Sequence, residues 1–240
     1  TVVLSGGKSL GKYTNGQTIP SAGKTFEEVI KDIALEYINP SFSSFTISGQ
    51  PTTVEVGTTL SGSKTFNWGI TLNSGIVPTI DIYDNTAGAT LLAGTTNDGT
   101  QSQTITTIQL NSNGATQSWK GIANNSNGAN VNSSNFTVTS LYNRFWGAVA
   151  TLPASSIDGT ANRTYANLLS TAVKTNGTNT FTLVTGTTSN KFIVLLPPGI
   201  TITSVIDTGN LNLNITSSYV LSTITIKDAG GTDRNYNQYL

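Results

Sequence analysis

Apolar residues recur in two rhythms along this chain, and each predicts a different kind of element. From about 41 to 139 the spacing stays close to two: Phe42, Phe45 and Ile47, Val54 and Val56, Phe66 and Trp68, Ile80 and Ile82, Ile105 and Ile108, Trp119, then Phe136 and Val138. Successive side chains of a strand point to opposite faces, so this alternation predicts strands buried on one side. Between them lie Ser48-Gly-Gln-Pro51, Asn73-Ser-Gly75, Asn97-Asp-Gly99, Asn111-Ser-Asn-Gly114 and Asn124-Asn-Ser-Asn-Gly128, all of which favour tight turns. Seven or eight strands in about a hundred residues predict an immunoglobulin-like β-sandwich over 41–139, with Trp68 as its core tryptophan.

The second rhythm is helical and falls at the front. Thr25 can cap a helix, and Glu28 three residues later completes a capping box. Phe26, Ile30, Ile33 and Tyr37 follow at spacings of 4, 3 and 4, widened by Val29 and Ala34, while Glu27, Glu28, Lys31, Asp32 and Glu36 are polar. That predicts an amphipathic helix over 25–38, ended by Asn39-Pro40. A 4-3-4 seam also suits a short parallel bundle of identical chains, although two heptads alone do not separate that from packing within one chain. Residues 1–40 therefore read as a docking and oligomerisation segment, its first part extended and Gly-rich.

Residues 140–240 read as a C-terminal β-rich domain with one helix. Tyr165, Leu168, Leu169, Ala172 and Val173 trace a helical stripe before Asn176-Gly177, and strands are expected around 181–184, 191–196, 200–206 and 219–227. The last residues, Tyr236 to Leu240, read as the beginning of another strand, so this domain is expected to continue. The overall expectation is a mainly β chain.

Composition sharpens the functional side. Across 240 residues there is no His, Cys or Met, and only 10% of residues are charged, in balance. Without His no side chain has an unperturbed pKa near 7, and without His or Cys the usual nitrogen and sulfur metal sites cannot form. The chain holds 41 Thr, 25 Asn and 24 Gly, a mixture suited to short strands and tight turns. Net charge is zero and no Lys/Arg cluster occurs, so no nucleic-acid partner is expected. No apolar run approaches the roughly 20 residues of a membrane span. Thr1-Val-Val-Leu-Ser5 lacks the basic start and long apolar core of a secretory signal.

Candidate chemistry is sparse. Gly6-Gly-Lys8-Ser9 ends like a phosphate-binding loop, but Val2 stands where the first glycine is needed. Asp81 and Asp84 are three apart on a strand, on opposite faces, and read as solvated charges rather than a carboxylate pair. Asp228-Ala-Gly-Gly-Thr-Asp233 resembles a calcium loop but lacks its ligand alternation, so a hairpin turn is expected. No catalytic residue, cofactor or metal is expected. Tyr142, Trp146 and Tyr236 are candidate glycan contacts, because aromatic rings beside Asn and Thr can stack on sugars.

Two stretches carry a resemblance. The start, Gly11-Lys12-Tyr13-Thr-Asn-Gly16-Gln-Thr-Ile19-Pro20-Ser-Ala-Gly23-Lys24-Thr25 and the Glu27-Glu28-Val29-Ile30 helix, is similar to the N-terminal module of virion appendage proteins, fibre-like or head-decorating, from tailed phages of Bacteroidetes. Ser189-Asn-Lys-Phe192, Val205-Ile-Asp207, Asn212-Leu-Asn-Ile-Thr-Ser-Ser-Tyr219-Val220 and Asp228-Ala-Gly-Gly-Thr232 resemble the C-terminal domain of the same group. The resemblance covers about half of the chain and includes no catalytic residue. It implies a structural protein of the virion, assembled in the host cytoplasm, commonly a homotrimer, whose partners are other virion proteins and a host-surface glycan. Residues 1–24 would dock on the particle, with Leu10, Tyr13 and Ile19 as contacts, and Phe26, Ile30, Ile33 and Tyr37 would form the oligomer interface. A bacterial cell-surface adhesin or carbohydrate-binding module is the alternative.

Overall fold

The computed structural model describes residues 2–3, 16–19, 22–34, 38–73, 77, 79–125, 129–173, 191–208 and 211–240; for 2–3, 31–34 and 173 only the backbone is described. The chain is mainly β, with two α-helices among the described residues. Its contacts divide it into two compact units, each described by itself. Unit 1 comprises 1–50, 61–106 and 117–137, and unit 2 comprises 51–60, 107–116 and 138–240.

The elements up to residue 141 are β1 (Val2–Val3), β2 (Thr18–Ile19), α1 (Phe26–Ala34), β3 (Ser41–Ile47), β4 (Thr53–Glu55), β5 (Thr59–Thr71), β6 (Thr79–Asp84), β7 (Ala89–Thr96), β8 (Thr100–Gln109), β9 (Thr116–Asn124), β10 (Val131–Asn132) and β11 (Phe136–Leu141). Among the described residues beyond it are β12 (Asn143–Val149), α2 (Gly159–Ala166), β13 (Ser170–Val173), β14 (Lys191–Leu196), β15 (Ile206–Asp207), β16 (Leu213–Asn214), β17 (Leu221–Lys227) and β18 (Asp233–Tyr239), with a 3-10 turn at Thr216–Ser218.

In unit 1 a sheet ordered β3-β5-β8 faces strands β9, β6 and β7, with β10 beside β9. Alternation on β5 buries Phe66 and Trp68, while Phe45 and Ile47 from β3, Ile80 and Ile82 from β6, Ile105 from β8 and Trp119 from β9 complete the core. Phe66 stands between the layers, tilted on Phe45 at 6.0 Å and edge-on to Trp119 at 6.3 Å between ring centroids, spacings at which aromatic quadrupoles attract. The layers approach closely at Gly121: a Cβ there would lie 3.0 Å from Phe42 and 3.1 Å from Phe45. Trp68 is a core tryptophan, its indole N–H donating to Asn97 Oδ1 at 3.1 Å, and Trp119 is buried deeper still.

Asp81 and Asp84 do lie on opposite faces of β6, but neither is a free solvated charge. Asp84 is buried and accepts from the Thr86 and Ala87 N–H groups and from Gln117, pinning the β6–β7 turn, while Asp81 accepts from Gly94 N–H and Asn124. The polar turn supplies the donors that make burial of a carboxylate tolerable.

Unit 2 is built on an antiparallel sheet ordered β13-β12-β14-β18-β17, with a parallel β4–β11 pair and a β15–β16 ribbon. One face carries Phe145, Ile193, Leu195, Ile224, Ile226 and Tyr236, covered by Ala166 and Tyr165 of α2; the other carries Val194, Leu196 and Tyr239, with Trp146, Phe192 and Tyr219 packed on them. Asp158 caps α2 by accepting from the Thr160 and Ala161 N–H groups. The helical stripe expected through Val173 is cut short: α2 ends at Ala166 and Ser170–Val173 pairs with β12 as β13. Thr171-Ala-Val173 is as compatible with a strand as with a helix, and the open edge of β12 decides. The strand expected over 200–206 shrinks to β15 after Pro197-Pro198-Gly199, and the one expected around 181–184 lies outside the described residues. Asp228 to Thr232 is a hairpin turn between β17 and β18, as expected.

Candidate functional site

The helix begins as its sequence predicts. Thr25 N–H donates to Glu28 Oε2 at 2.7 Å, and Glu28 N–H donates back to Thr25 Oγ1 at 3.3 Å, so both halves of the capping box are made. Glu27 and Glu28 in the first turn also favour the positive end of the helix dipole. The apolar stripe it presents is wet: Phe26 is 81% exposed and Ile30 44%. Ile33 lies on the same helix by its backbone, its side chain outside the described residues, and Tyr37 falls outside them altogether, as do Leu10, Tyr13 and the Gly6-Gly-Lys8-Ser9 loop. Ile19 is placed, on β2 opposite Val2, and its side chain is 1% exposed. It is a core residue of unit 1, not a surface contact.

The three candidate glycan contacts do not form one platform. Trp146 and Phe145 are successive on β12 and therefore face opposite sides of the sheet. Trp146, half-buried, packs with Val194, Leu196 and Tyr239; Tyr236 lies on the Phe145 side, its ring 5.9 Å away, and is 1% exposed. With no open ring face Tyr236 cannot stack on a sugar, which corrects the expectation. Its proximity to the chain end suggested exposure, but its place in β18, between β14 and β17, buries it. Tyr142 is half-buried beneath the Arg234 guanidinium, 5.8 Å from its ring centre.

Tyr142 and Tyr236 instead border a polar network of unit 2 that the hydrophobic pattern did not reveal. Arg163 of α2 grips Glu55 of β4 with both terminal nitrogens, Nη2 donating to Oε2 at 2.7 Å and Nη1 to Oε1. Nη1 also donates to the Lys227 carbonyl, and the guanidinium lies over the Phe145 ring. The Glu55 hydrogen bond holds the Arg163 pKa above its usual value despite partial burial. Asp228, its side chain 1% exposed, accepts from the Gly230 and Thr232 N–H groups and from Arg234 Nε at 2.9 Å. Arg234 Nη2 reaches the Asn111 carbonyl. Burial, reinforced by the Glu55 charge, pushes the Tyr236 phenol well above its ordinary range.

Backbone contact completes the arrangement. Ala229 N–H donates to the Val56 carbonyl, and the turn lies so close to Gly57 that a Cβ there would stand 2.2 Å from Gly230 N. Gly57 has φ +89, a conformation that side chains disfavour. The network thus ties β4, α2 and the β17–β18 turn together. Each carboxylate is held by an arginine, and Asp228 also by backbone donors, an arrangement that joins elements together. Among the described residues no three acidic groups converge as metal ligands. A signal did exist in the sequence. In a chain one-tenth charged, an Asp inside a Gly-rich turn and an Arg within a short helix stand out as residues retained for pairing.

No family model, no curated protein and no solved structure matches the chain.

Proposed function

We propose that this protein is a structural subunit of a phage virion, a fibre or head or tail appendage. In this reading it self-associates through α1, docks on the particle through its N-terminal segment and projects its β units outward toward the host surface. The observation that carries the reading is α1 itself, a helix fixed at its start by a complete capping box that leaves Phe26 and Ile30 in water. Full burial of each such side chain contributes about 1.5–3 kcal/mol, so parallel copies meeting along this seam gain from both positions in every chain. The resemblance of residues 11–30 and of four stretches between 189 and 232 to virion appendage proteins points the same way, and so does a scaffold without His, Cys or Met. Such a surface has no thiol or thioether to oxidise.

The test is the solution mass of the full chain by light scattering, compared with a Phe26→Asp/Ile30→Asp variant. A trimer that the double substitution turns into monomer, with an unchanged far-ultraviolet spectrum, supports the seam. An oligomer indifferent to it removes α1 from the interface.

A further inference from the structure

An open hollow of about 520 Å³ in unit 2 has the outline of one more strand segment. Strand β18 lies between β14 and β17, with Val194 and Leu221 both opposite Tyr239. Both neighbours run antiparallel to it, so one register step past Leu240 falls between Phe192 and Tyr219, and a second falls between Lys191 and Ser218. Those four residues, with Val220 and Leu240, line the hollow.

The same register decides which backbone groups face the hollow. Val220 and Leu240 bond reciprocally, each N–H to the other's carbonyl, at 3.0 and 3.2 Å, so Leu240 directs both of its backbone polar groups at β17. Successive strand residues alternate in this direction, which turns Tyr239 toward Val194, Ile193 toward β12 and Phe192 toward the hollow. The Phe192 N–H and C=O therefore face it as a donor–acceptor pair without a partner among the described residues. Across the hollow, the Ser218 and Tyr219 N–H groups are already spent within the 3-10 turn, on the Ile215 and Thr216 carbonyls. The outer edge of β17 is treated differently at Thr225 and Lys227: Thr225 N–H donates to the Ser156 carbonyl, Asn162 donates to the Thr225 carbonyl and Arg163 to that of Lys227. Plugs of this kind protect a sheet against strand addition. No such plug is printed on Phe192.

A side chain at the first register step falls on the Tyr239 face, between Phe192 and Tyr219, both half-buried against the Val194, Leu196 and Tyr239 cluster. Strand addition uses these two features together, main-chain bonds for affinity and a side-chain pocket for selectivity. We infer that the hollow receives an extended segment of a second polypeptide. That segment continues the line of β18, bonds Phe192 through its backbone and sets an apolar side chain between Phe192 and Tyr219. The hollow is open, so the segment enters without unfolding the sheet. This contact goes beyond self-association through α1 and does not depend on it.

The test uses the full chain, isotope-labelled, with capped tetrapeptides of alternating Val and Thr. Amide exchange by NMR reads the site directly. In the free protein the Phe192 amide is expected to exchange freely, and saturating peptide to slow it on the order of tenfold while the Thr225 amide is unchanged. A peptide N-methylated at both valines has lost the donor that meets Phe192 and is expected to bind on the order of tenfold more weakly. Ser218→Trp, at an exposed position, fills the hollow and is expected to abolish binding with an unchanged far-ultraviolet spectrum. A Phe192 amide protected in the free chain means that the hollow is filled from within, and overturns the proposal. So do absence of binding, equal affinity for the methylated peptide, or binding indifferent to Ser218→Trp. The mass of the same samples by light scattering reports on α1 separately, because Ser218 is not part of that helix.

Discussion

Replacing Arg163 by Met tests whether the polar network of unit 2 holds its elements together. The substitution keeps most of the aliphatic stem but strips Glu55 of two charge-assisted hydrogen bonds, one of 2.7 Å, leaving a carboxylate whose side chain is 11% exposed. Removing one partner of a fully buried pair costs about 3–5 kcal/mol. Arg163 retains 24% exposure, so water can reach part of the site and the lower end of that range applies, about 3 kcal/mol. Loss of the guanidinium from the Phe145 face adds roughly 0.5–1 kcal/mol. The double variant Glu55→Leu/Arg163→Met removes the stranded charge and is expected to recover to within about 1–2 kcal/mol of the parent. Urea unfolding followed by fluorescence gives the global values, and hydrogen exchange at α2 and β17 amides reads unit 2 locally. A single-variant cost below about 1 kcal/mol, or a double variant equal to the sum of the singles, would refute the argument, because uncoupled effects mean that the pair is not what joins β4 to α2.

Two further outcomes follow from the same unit. Gly57→Ala is expected to destabilise by about 3 kcal/mol, part from the left-handed backbone and the rest from displacing the Asp228–Gly231 turn and its bond to Val56; Gly57→Asn, tolerated if only the backbone angle mattered, should be as harmful, and a harmless Asn would refute the close approach. In alkali, burial pushes the Tyr165 phenol up to about 12 and Tyr236 further still. Groups whose folded pKa is raised give stability that is full below their unfolded pKa near 10 and is lost as pH rises toward the folded value, so melting temperature should fall between pH 10 and 12. Tyr236→Phe should flatten that decline, and an identical decline in the variant would remove Tyr236 from its cause.

Legibility of the fold tracked the strength of the local signal. Strands with a two-residue period around Phe45, Phe66, Ile80 and Trp119 were readable because one face of each is buried, and the capping box was readable because Thr25 and Glu28 need nothing beyond their own turn. Strand β7, Ala-Thr-Leu-Leu-Ala-Gly-Thr-Thr, gave no signal: it pairs with β6 on its register and keeps no buried face to impose alternation. Strand β13 was misread because Leu168-Leu169 extended a helical stripe past the real end of α2 at Ala166. Which residues of the polar network pair was out of reach for a different reason. Glu55 and Arg163 are 108 residues apart, and no local periodicity encodes their meeting.

The measurement that most directly tests the central claim is the solution mass of the full chain across a concentration series, with and without Phe26→Asp/Ile30→Asp. The account predicts three times the mass of one chain for the parent and a single-chain mass for the variant, with both keeping the same far-ultraviolet spectrum. A parent that is monomeric at every concentration, or a variant that stays assembled, would contradict it.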